Sequence, residues 1–253
     1  MKKYIRCEYN GKIEYGYIED DKVSFCAEPY WINETPNGKE ASLDDVKLLC
    51  PVQPSKIICV GLNYRRHVKQ SQSATEPPKN PMLFMKPPSA LIGQNEVIEY
   101  PDNCDRVDYE AELAVIIGTK GRRIPEGKVT DHIFGYTCLN DVTARHIQKA
   151  DGQWTRGKGF DTFCPVGPYV VTGIDASDIS VEAYLNGEQK QCGKTSDMIF
   201  KIPELISFIS GVMTLEPGDV ISTGTPQGID PMQIGDTIEV RIENIGSLIN
   251  TVG

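Results

Sequence analysis

The chain has 253 residues, 40% hydrophobic and 24% charged, enough to bury a sizeable core in one large domain with room for a small appendage. Its formal net charge is −9, so its surface repels phosphate backbones, which argues against a nucleic-acid partner. An anionic ligand would therefore need positive charge supplied inside its own pocket.

In chain order, residues 1–50 read as a small β-rich unit. The stretch KYIRCEYNGKIEYGYIEDDKVSF is a run of short strands broken at Asn10-Gly11 and Asp20-Asp21, a hairpin pattern. Pro51 and Pro54 then suggest a connector, and residues 51–253 read as one domain. Strands are expected in KIICVG, AELAVIIG, HIFGYTCL, VGPYVVTG, VEAYL, DVISTG, TIEVRIE and SLINTV, with a tight hairpin at Asn186-Gly187. Helices are few: a short one near Asn63 to Gln70, one from Asp141 to about Ala150, and one from Ile202 to Gly211. Strands and helices do not alternate regularly, which argues against a doubly wound sheet and for a mixed, β-rich α+β fold, mostly antiparallel. The opening MKKYIRCEYNGK lacks the apolar segment of a signal peptide, and no apolar run approaches the length of a membrane span. Eight scattered cysteines without a C-x-x-C pair read as reduced, mostly buried thiols of a cytoplasmic protein rather than a disulfide framework or zinc site.

The segment VDYEAELAVIIG carries the most chemistry. On a strand, Glu110 and Glu112 share a face, roughly 7 Å apart, and two carboxylates beside a buried strand are costly unless a cation neutralises them. In GYTCLNDVTARHIQKAD, Asp141 stands at a strand end and in a helix N-cap position, with Arg145 and Gln148 following on the same helical face. That segment reads either as a capped helix with an ion pair or as part of a site. Three carboxylates without a cysteine or histidine partner suit a hard cation such as magnesium or manganese. The pattern is weak alone. CGKTSD ends like a phosphate-binding loop, but its glycine spacing is wrong and it follows a hairpin turn.

Taken together, VGLNYRRHV, PMLFMKPPSAL, DYEAELAVIIG, GYTCLNDVTARHIQ, WTRGKGFDTFCPVGP and GDVISTGTPQGI resemble, in order, the fumarylacetoacetate hydrolase family, especially its small bacterial members and acylpyruvases. The resemblance covers about residues 55–253. It implies that family's β-rich catalytic fold, a Mg2+ or Mn2+ ion and a homodimer. It also implies Glu110, Glu112 and Asp141 as metal ligands and Lys158 as the active-site lysine, with Asp161 as an orienting partner. Gln148 and Thr225 fall on substrate-contacting positions, Arg145 matches the arginine after the metal-binding aspartate, and Lys86 matches a position that supports the metal shell.

His67 matches the histidine of the family's N-Y-x-x-H lid segment. Acylpyruvase-like members carry a glutamate three residues later; here that position holds Gln70, the main departure. Glutamine accepts the same hydrogen bond but lacks the charge that raises histidine basicity, and Glu76 is an alternative partner. The reactions of the family share an enolate of a small 2-oxo or 2,4-dioxo acid. Carbon–carbon hydrolysis of an acylpyruvate or fumarylpyruvate is the first expectation. Isomerisation of a 2-hydroxyhepta-2,4-diene-1,7-dioate or decarboxylation of oxaloacetate gains weight from Gln70. A binding protein without turnover is a third reading, ranked last because the metal ligands and Lys158 are all present. His132 and His146 read as structural.

Overall fold

Turn chemistry and apolar alternation dictate most of the strand pairs. Asn10 and Gly11 take positive φ (51° and 71°) and join Lys2–Tyr9 to Lys12–Glu19; Asp20 (52°) joins Lys12–Glu19 to Lys22–Cys26; Asn186 and Gly187 (52° and 82°) join Ser180–Leu185 to Glu188–Lys194. The structure, a computed structural model, describes residues 1–70 and 76–253; the side chains of Lys69 and Gln70 also lie outside the described residues.

The architecture is mixed and β-rich. The largest sheet has 12 strands. Its middle runs from Lys2–Tyr9 through Cys164–Thr172, Ile133–Asn140, Ala111–Ile117 and Val220–Ser222 to Ile57–Gly61 and the edge strand Met82–Lys86. The strand Ala111–Ile117 is buried along its whole length, which is why it reads as a continuous apolar run. A 5-stranded sheet, with Ser180–Leu185, Thr237–Ile242 and Gly246–Val252 at its centre, packs its Val181, Val240 and Leu248 against this strand's Leu113 and Val115 in one core cluster. Pairing is mostly antiparallel, with parallel pairs such as Val220–Ser222 with Ile57–Gly61. Among the described residues the α-helices are Arg65–Gln70, Arg145–Asp151, Thr155–Lys158 and Ile202–Val212.

The second helix departs from expectation. It begins at Arg145, not Asp141, because Thr143 and Ala144 are held extended against Val107 and Asp108. Its N-cap is Ala144, with no side-chain cap, so Asp141 is not a capping residue. The N-terminal strands extend the main sheet, Lys2–Tyr9 pairing with Cys164–Thr172. All eight cysteines are free thiols, seven of them buried and Cys192 exposed. Among the described residues no helix is long and apolar enough to cross a membrane.

Candidate active site

The segment Arg106–Leu113 alternates between two environments. Val107, Tyr109, Ala111 and Leu113 are wholly buried in the core. Arg106, Asp108, Glu110 and Glu112 face a cavity of 190 Å³, smaller than the roughly 300 Å³ and above typical of drug-sized ligand sites. Pairing of Ala111 with Asn140 brings the end of the strand Ile133–Asn140 alongside. The Glu110 amide donates to Asn140 Oδ1 (2.9 Å), and the Asp141 amide donates to the Glu110 carbonyl (2.9 Å). This fixes Asp141 beside the two glutamates. One carboxylate oxygen from each of the three lies within 4.8 Å of the others, and all three residues are buried.

The surroundings hold this charge in place. Lys158, itself 1% exposed at the end of the short helix Thr155–Lys158, donates from Nζ to Glu110 Oε2 (2.9 Å) and Asp141 Oδ2 (2.6 Å). Lys86 Nζ lies 2.8 Å from Asp141 Oδ1 and donates to the carbonyls of Val142 (3.0 Å) and Lys158 (2.5 Å), tying two active-site loops together. The Arg145 guanidinium donates from Nε to Asp108 (2.8 Å), from Nη1 to Gln148 Oε1 (2.7 Å) and from Nη2 to Glu110. Glu112 accepts from the Ser222 hydroxyl and from the Gly224 amide (2.8 Å). The Gly224 φ is +98°, and a Cβ there would lie 2.8 Å from the Asn63 Cβ, so only glycine fits the turn that aims this amide. Thr225 lines the cavity, but its hydroxyl donates to the Ala111 carbonyl (2.9 Å) and accepts from Gln191 (2.8 Å).

Burial and charge set the protonation of these groups. Burial, then Asp141 and Glu110, push the Glu112 carboxyl well above its usual range. Glu110 is opposed by burial but is carried below the usual range by Lys158 and Arg145. Burial works against the Lys158 charge too, yet Asp141 and Glu110 hold its ammonium above the ordinary value. Burial, against a smaller pull from Glu110, lowers the His67 imidazole, so it is neutral near pH 7. His67 is 7% exposed, lines the cavity, and its Nδ1 has no hydrogen-bond partner among the described residues.

The cluster suits a divalent cation on its own chemistry. It offers oxygen donors only, and its third carboxyl, Glu112, is held against both neighbours and forms no ion pair among the described residues.

Sequence reasoning placed Glu110, Glu112, Asp141, Lys158, Arg145, Gln148, Thr225 and His67, and all eight line one cavity. The Gln70 side chain lies outside the described residues. Two expected partners are not found. Asp161 is exposed, and Lys158 turns to Glu110 and Asp141 instead. Glu76 is exposed and does not meet His67 Nδ1. Arg106, Asp108, Lys149, Ser222 and the Gly224 amide were missed. The signal for the first two was present: R-x-D-x-E-x-E has a period of two and puts all four side chains on one face.

The fold and this oxygen-donor cluster define a class of protein: β-rich, with buried carboxylates able to hold a divalent metal. The chain belongs to the fumarylacetoacetate hydrolase family, whose domain model, described as fumarylacetoacetate hydrolase C-terminal, matches residues 56–253; a second model, Rv2993c-like N-terminal, matches residues 2–51. It is 44% identical to the oxaloacetate tautomerase YisK of Bacillus subtilis over 225 residues, covering 84% of this chain and 75% of that protein. It is similar to a solved 5-carboxymethyl-2-hydroxymuconate delta-isomerase from Mycobacterium smegmatis (40% identity, TM-score 0.92, 99% and 98% of the two chains covered). It is also similar to a solved fumarylacetoacetate hydrolase from Exiguobacterium antarcticum (37% identity, TM-score 0.87, 100% and 99% covered). Members of this family typically use a divalent metal.

Proposed function

We propose that the chain is a Mg2+- or Mn2+-dependent enzyme that forms the enolate of a small 2-oxo or 2,4-dioxo acid and moves a proton at the adjacent carbon. The observation that carries this reading is the meeting, in one buried cavity, of an oxygen-donor cluster, a cationic Lys158 and a neutral His67. Glu110, Glu112 and Asp141 would hold the ion. When bound, it supplies a Lewis acid toward the oxygens of the substrate's carboxylate and neighbouring carbonyl.

His67 takes or returns the proton on carbon; it is neutral near pH 7 and therefore able to act as a base. Lys158, held as an ammonium, faces the developing negative oxygen and stabilises it without giving up its own charge. Arg145 keeps Glu110 ionised and holds Gln148 against the cavity, where the Gln148 amide nitrogen is available to a substrate oxygen. Thr225 borders the same space. The kinship with a tautomerase and an isomerase supports proton transfer as the net reaction. So does Gln70 at the position where a glutamate would strengthen His67 as a base toward water.

Hydrolysis of a carbon–carbon bond, of acylpyruvate or fumarylpyruvate type, is the second reading, supported by the similarity to a fumarylacetoacetate hydrolase. Decarboxylation of oxaloacetate needs the same electron sink and also stands as an alternative. The test is to follow the ultraviolet absorbance of enol oxaloacetate and of acetylpyruvate with protein and Mg2+, each against an EDTA control. Metal-dependent ketonisation of oxaloacetate without cleavage of acetylpyruvate supports the first reading. Release of acetate and pyruvate supports the second, and the variant Gln70→Glu should then raise that rate. We further propose a homodimer acting in the cytoplasm with a small anionic oxo acid as its partner and no nucleic acid; light scattering after gel filtration checks the dimer.

A further inference from the structure

We infer that Arg106 is a specificity-determining residue that binds a second carboxylate, so that the substrate is an oxo-dicarboxylate rather than a monocarboxylic oxo acid. The inference rests on the oxo-acid reading of the site and names its substrate class.

Two guanidiniums border the cavity, and they are not equivalent. Arg145 is spent on the protein: each of its three nitrogens donates to a side chain (Asp108, Gln148 or Glu110), and its side chain is only 13% exposed. Among the described residues Arg106 is held through one edge, with Nε to Asp108 Oδ1 (2.7 Å) and Nη2 to Asp108 Oδ2 (3.2 Å). Nη1 stands outside that pair, and the side chain is 45% exposed while still lining the cavity. Arg106 is thus the guanidinium with donors left for a ligand.

It is also fixed in advance. Asp108 is fully buried and bonds both Arg106 and Arg145, while Arg145 also reaches Glu110, so Arg106 is anchored by a carboxylate it shares. The Arg145 amide donates to the Arg106 carbonyl (2.9 Å), which pins the backbone as well. A guanidinium held in place by a buried partner loses little freedom when a carboxylate arrives.

The charge balance points the same way. The carboxylates Asp108, Glu110, Glu112 and Asp141 meet Arg106, Arg145, Lys158 and, on Asp141, Lys86, so a bound divalent ion leaves the site net positive. That excess favours a doubly charged ligand over a singly charged one. The ligand would span the cavity, with one end at the carboxylate cluster and the other at Arg106, both of which line it.

The experiment compares two acids of equal length, oxaloacetate and 2-oxobutyrate, by titration calorimetry on the Mn2+-loaded protein. The wild type should prefer oxaloacetate by roughly ten- to a hundredfold, the worth of a charge-assisted hydrogen bond. Arg106→Gln should abolish that preference while leaving affinity for 2-oxobutyrate and for Mn2+ unchanged; Arg106→Lys, which keeps the charge, should restore part of it. Unchanged Mn2+ affinity also shows that the variants fold. If Arg106→Gln retains the preference, or weakens both acids equally, Arg106 does not read the second carboxylate. If the wild type binds Mn2+ but neither acid, the oxo-acid reading falls, and this assignment falls with it.

Discussion

Glu112 carries the chief electrostatic cost of the site. Burial and two neighbouring carboxylates hold its proton well above the usual carboxyl range, whereas in the unfolded chain it ionises normally. The sign of the linkage follows. A carboxyl raised on folding contributes stability at low pH that is lost as pH rises through its folded value. In EDTA the melting temperature should therefore fall as pH rises above the carboxylate range. With excess Mg2+ the fall should be suppressed, because the ion binds only the ionised cluster and releases the proton. Identical profiles with and without metal would contradict the assigned ligands. Asp141→Asn keeps the shape but removes a charge shared by Lys86 and Lys158; it should weaken Mn2+ binding at least tenfold in calorimetry while circular dichroism stays unchanged. His67 predicts a different profile. Burial lowers its value, so the acid limb of kcat/KM should lie below the ordinary imidazole value of about 6.5, and His67→Asn should cost roughly 10²- to 10⁴-fold and remove that limb. A limb that persists in His67→Asn would assign the base elsewhere. The E-x-E pair was legible because strand periodicity alone puts both carboxylates on one face. The partners of Arg145 were not: an i,i+4 pair with Asp141 assumed a helix starting at Asp141, and the cross-chain pairing of Thr143–Ala144 with Val107–Asp108 prevents it.

At the scale of elements, the site depends on short, irregular pieces between regular strands. Asn10-Gly11 and Asn186-Gly187 were readable as hairpins because few other residues accept their positive φ. The turn after Val220–Ser222 looks equally ordinary in sequence, yet it delivers the Gly224 amide to Glu112. Gly224→Ala places a Cβ 3.1 Å from the Val60 carbonyl and 2.8 Å from the Asn63 Cβ at a φ that disfavours alanine. It should cost about 1–3 kcal/mol of stability by chemical denaturation and weaken Mn2+ binding. Wild-type values of both would mean that the turn relaxes and the amide is not needed. Lys158 gave the opposite difficulty. Flanked by two glycines it reads as a loop lysine, but it ends a four-residue helix packed so closely on Arg145–Asp151 that a Cβ on Gly157 would meet the Gln148 backbone nitrogen at 2.8 Å. That contact between two short helices buries the lysine, and no local pattern announces it.

Across the whole molecule, the expected strands were legible one by one, whereas their neighbours in the sheet were not. Local alternation says which residues lie inward; it does not say that Lys2–Tyr9 pairs with Cys164–Thr172, a partner distant in the chain. The consequence is a shared core. Tyr4, Tyr30 and Cys50 pack in the same cluster as Ala114, Ile116, Leu139 and Val166. We therefore propose that residues 1–50 are an appendage in sequence but not an independent folding unit. Differential scanning calorimetry should give one cooperative transition for the full chain, and two separated transitions would contradict this.

The most direct measurement is proton NMR of oxaloacetate in D2O with the purified protein and Mg2+, beside an EDTA control and the Asp141→Asn variant. An enolate-forming site predicts rapid metal-dependent exchange of the C3 protons for deuterium, lost in EDTA and in the variant. Exchange that proceeds at the same rate without metal, or no exchange above the protein-free rate with metal bound, would contradict the account.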